Sequence, residues 1–508
     1  MNTSLNATRR AADLAATAAG EVFDVLVVGG GVTGTGVALD AASRGLTVCL
    51  LEAHDLAFGT SRWSSKLVHG GLRYLAHGDF ALAHESAVER GILMTRTAPH
   101  LVRALPQVVP LYDDRGTVVM TGLRAGDLLR RAARTPSTLL PPPRRIPAAE
   151  ALALVPGLRK EGLRGALLSY DGQLTDDARL VVALARTAAG FGAKILTRTK
   201  VTTLTGEGAE AVDTLTNTTF QVKAKAVINA AGIWSATLVD TIQLRPSRGS
   251  HLVLDAATNG ITTTAITIPV PGERNRYALA LPQQDGRLYI GLTDEPTDGP
   301  LPDVPEVPQS DVDFLLTVAS SVLERKLTHQ DVLGSYAGLR PLLAGTATKS
   351  ADLSRKHAVL TSPTGVLTVV GGKLTTYRRM AADAVDTAVQ AHNLTATPCR
   401  TTNLPLVGTG KATAPHRLAT RYGTEAEALL ALNRPDKISH DITAAEILWA
   451  IHHEGALTPD DILDRRTRIG LVSQDRQAAE AIVTALLAEH TNDHPPSGNS
   501  TTRPTGHT

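Results

Sequence analysis

At 508 residues the chain is too long for one ordinary domain, so two or three are expected. Hydrophobic residues make up 43% and charged residues 20%, which fits a globular protein whose core, with aromatics at only 3%, is built mainly of Leu, Val, Ile and Ala. A formal charge of +2 lacks the basic excess of a nucleic-acid binder, and two cysteines, Cys49 and Cys399, exclude a disulfide framework or a four-thiolate metal site.

Residues 1–20 read as an extra N-terminal helix or a loose arm. Arg9-Arg10 precedes an Ala-rich stretch that contains Asp13 and lacks the apolar h-region of an export signal. No window approaches the ~20 apolar residues of a membrane-spanning helix, and the reducing cytoplasm is the expected compartment. A strand is predicted at Val22–Val28, then a glycine-rich turn, an Ala-rich helix to about Arg44 and a second strand at Leu46–Glu52. Cys49 lies in this apolar run and reads as a small buried hydrophobe. Residues 136–147 are a Pro-rich connector. A helix follows at Ala178–Ala189, then strands at Ala193–Thr199 and Lys225–Asn229. Residues 250–300 hold several strands, including His251–Leu254 and Leu288–Leu292, up to the Pro-rich stretch Asp294–Pro308. A strand at Val366–Val370 leads into a helix at Leu374–Gln390. Residues 411–490 carry helical periodicity, at Glu425–Leu432, Ala444–Glu454 and Ala478–Glu489, and read as a helical cap. Residues 491–508 have the composition of a disordered tail.

The sharpest motif is Gly29-Gly30-Gly31-Val32-Thr33-Gly34, which follows a strand and opens a helix. Such glycines allow a tight turn and bring a pyrophosphate close to backbone N–H groups at the positive helix end. Glu52 ends the second strand, placed to accept hydrogen bonds from an adenosine ribose and to repel the 2′-phosphate of NADP. This unit does not separate FAD from NAD. Two further segments bear on that choice. Ser61 to Gly71 is dense in small polar residues and glycine, able to run along an extended cofactor. Gly371-Gly372-Lys373-Leu374-Thr375-Thr376-Tyr377 joins a strand to a helix whose positive end suits the anionic edge of a reduced flavin, although an ordinary strand–helix turn reads the same way.

Together these segments resemble the aerobic-type FAD-dependent glycerol-3-phosphate dehydrogenases, within the D-amino-acid-oxidase-like flavoproteins. The match takes in Gly29 to Glu52, Ser61 to Tyr74, Asp176 to Leu180, Asn229 to Trp234, Gly249 to His251, Gly291 to Asp294, Gly338 to Pro341, Gly371 to Tyr377 and Arg465 to Leu471, about residues 22–475 in all. Departures are the N-terminal arm, the tail, and Gly34-Thr35-Gly36 where the family has Gly-Ala-Gly.

The resemblance implies an α/β (α+β) fold. A discontinuous Rossmann-like FAD-binding domain would span 21–75, 165–245 and 350–400; an antiparallel-sheet substrate domain, 76–164 and 246–349; a helical C-terminal cap, 401–490. It also implies oxidation of sn-glycerol 3-phosphate to dihydroxyacetone phosphate by hydride transfer from C2 to flavin N5, with electrons passed to quinone. FAD would touch Gly29, Gly30, Gly31, Gly34, Glu52, Thr60, Ser61, Ser65, Lys66, His69, Gly70, Gly71, Val201, Ala231, Gly232, Gly372, Lys373, Leu374 and Thr375. A clamp of Arg73, Tyr74, Arg340 and Lys373 would hold the phosphate, since a dianion needs two or more cationic donors. The catalytic set is His251, Arg340 and Lys373, with either His251 taking the hydroxyl proton or Arg340 stabilising the alkoxide. Arg274 and Arg276 are weaker candidates for the clamp, and a solvated loop is the plainer reading.

Expected partners are the substrate, a quinone or other electron acceptor, a peripheral contact on the cytoplasmic membrane face and a second copy in a homodimer; no metal or nucleic acid is expected. The basic amphipathic stretch Leu123 to Arg134 could serve at a membrane surface, although an ordinary surface helix with one leucine face packed on the domain is the plainer reading. Competing readings are an oxidase that uses oxygen, an amine or amino-acid oxidase of the same fold, a flavin-dependent tRNA-modification scaffold and an NAD-dependent dehydrogenase. The three cations Arg73, Arg340 and Lys373 exceed what one substrate carboxylate needs.

Overall fold

The computed structural model describes residues 2–71, 75, 78–114, 116–273, 276–344 and 356–492. Arg73, Tyr74, Arg274 and the tail from 493 lie outside the described residues. Two sheets organise the chain. In the first, strands run in the order Ala358–Thr361, Leu367–Val370, Thr218–Asn229, Val22–Val28, Val48–Leu51, Lys194–Leu196. The four pairings from Leu367–Val370 to Lys194–Leu196 are parallel. Val25, Leu26 and Val27 sit at its centre, fully buried, as an apolar run covered on both faces must be. Helices Val32–Ser43, Asp177–Gly190 and Tyr377–His392 supply one of those covers through Val37, Leu184 and Val385.

The strand expected at Lys225–Asn229 begins seven residues earlier, at Thr218. Its first half alternates exposed and buried residues and pairs antiparallel with Gly208–Asp213, which in turn pairs with Thr199–Thr205. Only its second half carries the apolar run that periodicity detects.

The second sheet has ten strands, and its longest pairing joins Val102–Pro110 to Ala166–Leu174. It is mixed, where an antiparallel sheet is expected: Ala265–Pro269 runs parallel to Val102–Pro110. Ala166–Leu174 and Leu67–Val68, expected in the cofactor domain, belong to this sheet because their backbone groups are paired there over nine and two residues. Ser247–Asp255 is paired on both sides, with Arg287–Gly291 and with Gly334–Arg340.

The C-terminal region packs helices His416–Tyr422, Ala426–Leu430, Ala444–His453 and Ser473–Asn492, with a two-strand ribbon, Lys437–Ser439 and Ile442–Thr443, that helical periodicity does not reveal. Helix Ala444–His453 starts on a reciprocal cap between Thr443 and Glu446. The N-terminal segment is a packed helix, Ala7–Ala18, and no loose arm. Asn6 caps it, Arg9 donates to the carbonyl of Ala189 at 2.9 Å, and Arg10 pairs with Asp213 at 2.5 Å. Just before it, Leu5 exchanges backbone hydrogen bonds with His453 and Gly455. Cys49 is fully buried, and burial pushes its thiol pKa well up.

Candidate functional site

A cavity of 1830 Å³ is lined from both sheets. It is well above the ~1,000 Å³ of a large small-molecule pocket, which leaves room for a dinucleotide and a small substrate together.

The glycine turn forms part of its lining. Gly29 has φ +112°, and a Cβ there would stand 2.5 Å from the carbonyl oxygen of Ala230. A Cβ on Gly34 would stand 1.9 Å from the oxygen of Gly29, so a side chain there breaks the turn. Helix Val32–Ser43 starts at Gly31 with no side-chain cap of its own, and Ser61 Oγ reaches in to accept from Val32 N at 2.9 Å. Gly29, Gly31, Val32 and Thr33 face the cavity, so the positive helix end points at it. Glu52 accepts from Gly30 N at 2.6 Å and from His54 N at 2.8 Å. Burial pushes its pKa up, against those two N–H groups. Each of its oxygens keeps a second lone pair for a ribose hydroxyl. The tight turn, the open helix start and the acceptor at Glu52 fit an adenine dinucleotide.

His251, Arg340 and Lys373 line the same cavity. His251 lies on the central strand Ser247–Asp255, opposite Gly291, where a Cβ would come within 2.2 Å of the imidazole. Its ring stacks on Tyr336 at 4.7 Å and 9°, and Nε2 meets Ser65 Oγ at 2.8 Å. Burial, then the charges of Lys66 and Arg340, push its pKa down to about 3, so the ring is neutral. Arg340 ends its strand and donates to Asp294 Oδ1 at 3.2 Å, Ser247 Oγ at 3.3 Å and Thr293 O at 3.1 Å. Lys373 follows Gly371 and Gly372, at φ +73° and +69°, and its Nζ donates to Ser86 Oγ.

Of the remaining expected cofactor contacts, Thr60, Ser61, Ser65, His69, Val201, Ala231, Gly232, Gly372, Leu374 and Thr375 line the cavity. Gly30 and Gly34 shape the turn from behind it. Gly70 packs on the Arg90 guanidinium, where a Cβ would be 2.6 Å from Nη1; with Gly71 it stays off the lining. Lys66 is the clearest departure: its side chain turns inward to Asp177 and is 2% exposed. Arg276 lines the cavity but is paired with Glu273 and Glu295. Trp63, Asp171 and Lys200 also line it. The sequence gives no cue to Asp171, whose partner Arg90 lies 81 residues away at 2.6 Å.

The family described as FAD dependent oxidoreductase matches residues 24–378, and the C-terminal domain of alpha-glycerophosphate oxidase matches residues 362–494. A Mycobacterium tuberculosis protein named glycerol-3-phosphate dehydrogenase 1 is 52% identical over 96% of this chain and 98% of its own. The mitochondrial glycerol-3-phosphate dehydrogenase of Arabidopsis thaliana is 33% identical over 94% of this chain and 84% of its own. Among solved structures, the X-ray structure of the Bacillus halodurans glycerol-3-phosphate dehydrogenase complexed with FAD superposes with a TM-score of 0.74. It is 28% identical, with 95% of this chain and 94% of that one covered.

Proposed function

Since this chain belongs to the FAD-dependent oxidoreductase family, and within it to the glycerol-3-phosphate dehydrogenases, we propose that it oxidises sn-glycerol 3-phosphate to dihydroxyacetone phosphate and passes the electrons to a quinone. The observation that carries this reading is one continuous cavity lined both by a dinucleotide turn and by His251, Arg340 and Lys373. FAD, when bound, supplies N5 as the acceptor of the C2 hydride. Gly29, Gly31, Val32, Thr33, Glu52, Ser61 and the Gly371–Thr375 turn would hold it.

Arg340 and Lys373 hold the phosphate, joined by Arg73 and Tyr74, which lie outside the described residues. The neutral imidazole of His251 takes the C2 hydroxyl proton, and Arg340 steadies the oxygen that is left. A phosphate dianion close by raises the histidine pKa toward a working base. The test is an anaerobic absorption spectrum of the purified protein. A yellow protein bleached by sn-glycerol 3-phosphate, and not by glycerol or a D-amino acid, supports the reading. A yellow protein that stays oxidised removes the substrate assignment.

No helix among the described residues is long and apolar enough to cross a membrane. Helix Gly116–Ala132 packs Leu123 and Leu129 inward and buries Arg130 against Asp127, as an ordinary surface helix does. Its outer face still shows Val118 at 77% and Leu128 at 64% exposed, and Phe80 on the neighbouring helix is 65% exposed. Phe80 and Val118 also border the cavity, and Arg124 and Arg131 on the helix of Val118 are exposed. This apolar lip with basic neighbours supports attachment to an anionic lipid surface, where a quinone is met. Leu128→Asp, which lies off the cavity, is expected to weaken co-sedimentation with anionic vesicles while leaving reduction by the substrate intact.

A further inference from the structure

Lys66 is a buried lysine at φ +58°, a left-handed conformation that L-residues rarely adopt, in a segment that otherwise faces the cofactor cavity. Its Nζ donates to the carbonyls of Arg62 and Ser64, each at 3.0 Å, and meets Asp177 Oδ2 at 3.2 Å. The same carboxylate oxygen accepts Ser64 N at 2.9 Å and Ser64 Oγ at 2.7 Å. Lysine and aspartate thus tie down the turn from beneath. On its upper side the turn delivers Ser65 Oγ to His251 Nε2 at 2.8 Å. A second link runs through Tyr336. Its ring lies 4.6 Å from Lys66 Nζ, its hydroxyl donates to Ser64 O at 3.0 Å, and its face stacks on the imidazole.

We infer that Lys66, clamped by Asp177, is a positioning residue: it fixes the Ser64–Ser65 turn and Tyr336, and through both sets the orientation of His251. The inference rests on the reading of His251 as the group that meets the substrate hydroxyl. An ordinary surface lysine cannot do this, because its ammonium would be hydrated and free to turn. Here three fixed acceptors take its three N–H donors.

The groups facing the ammonium are Asp177, Asp176, Arg468, Tyr336, Tyr289 and His251. Burial, followed by Arg468, lowers the lysine pKa to about 8, against the pull of Asp177 and Asp176. Above that value a neutral amine offers two N–H groups for three acceptors, and the turn loosens.

The test is anaerobic stopped-flow reduction of the FAD-loaded enzyme by sn-glycerol 3-phosphate, on both sides of pH 8. The wild type is expected to slow above about 8. Lys66→Met is expected to be about a hundredfold slower, the cost of a small misplacement of a reacting group. It should be flat across that range, with FAD content and the Kd for dihydroxyacetone phosphate unchanged. A Lys66→Met enzyme that keeps the wild-type rate, keeps the alkaline limb, or loses FAD in step with its rate overturns the inference. Should that variant not fold, Ser65→Ala cuts the link without burying an unpaired carboxylate. It is expected to be slow and flat, and a wild-type rate overturns the inference in the same way. If wild-type flavin is not reduced at all, the functional reading fails instead.

Discussion

Replacing Arg340 by alanine will lower kcat/KM for sn-glycerol 3-phosphate by about a thousandfold, ~4 kcal/mol, the scale for losing one partner of a desolvated charge pair. The size follows from what stays behind as much as from what leaves. Arg340 is bonded to Asp294, and Asp294 also lines the cavity. Without the guanidinium that carboxylate keeps Ser247 Oγ at 2.6 Å but loses a cation beside an incoming dianion. Adding Asp294→Asn to Arg340→Ala should therefore recover part of the loss. The split between constants shows what the guanidinium does. A rise in KM alone means that it holds ground state and transition state equally, as a phosphate anchor does. A fall in kcat means that it acts on the alkoxide. Arg340→Lys keeps the charge but not the fork that reaches Asp294, Ser247 and Thr293 together, and should restore only a fraction.

Asp55→Ala will destabilise the fold by about 3–5 kcal/mol, because breaking a buried ion pair leaves uncompensated charge. Asp55 takes Arg465 Nε at 2.7 Å and both Nη atoms of Arg466 at 2.9 Å, with all three side chains at most 3% exposed. Burial pushes the Asp55 carboxyl up, but the two guanidiniums prevail and hold it at about 2. A carboxylate depressed in the folded state stabilises above its unfolded value, ~3.9, and loses that contribution as the pH falls toward 2. The interaction is therefore at full strength at neutral pH. A urea midpoint shifted down with unchanged slope checks the loss. Asp55 also sits between Glu52 and Ser61, so the variant should retain less FAD. An unchanged midpoint would mean that Asp461, which accepts Arg465 at 2.6 Å, and the carbonyl of Glu454 support both arginines unaided.

The parts of the fold and site legible in the sequence are those fixed by neighbours in the chain. The strand, glycine turn, helix and second strand of residues 22–51 follow local periodicity, and they fold as expected. His251 and Arg340, which the resemblance implies, line the cavity from the paired strands Ser247–Asp255 and Gly334–Arg340. Lys66 was misdirected by its surroundings: serines and glycines suggest a cofactor contact, while its partner Asp177 comes 111 residues later on another element. Ala166–Leu174 likewise carries no mark of which sheet will pair it, since its ladder partner is Val102–Pro110. The arginines near Arg465 are plain in the sequence, but their burial depends on an aspartate 410 residues upstream.

The N-terminal helix has a consequence for biosynthesis. Ser4, Leu5 and Asn6 leave the ribosome well before His452, His453 and Gly455, the residues they bind. Arg186 donates to the carbonyl of Thr3 and pairs with Glu425, drawing the same two ends together. Asn6 must wait while 446 residues are added before it finds its seat. The clasp therefore closes late, after the sheets that lie between its two halves in the chain have been made.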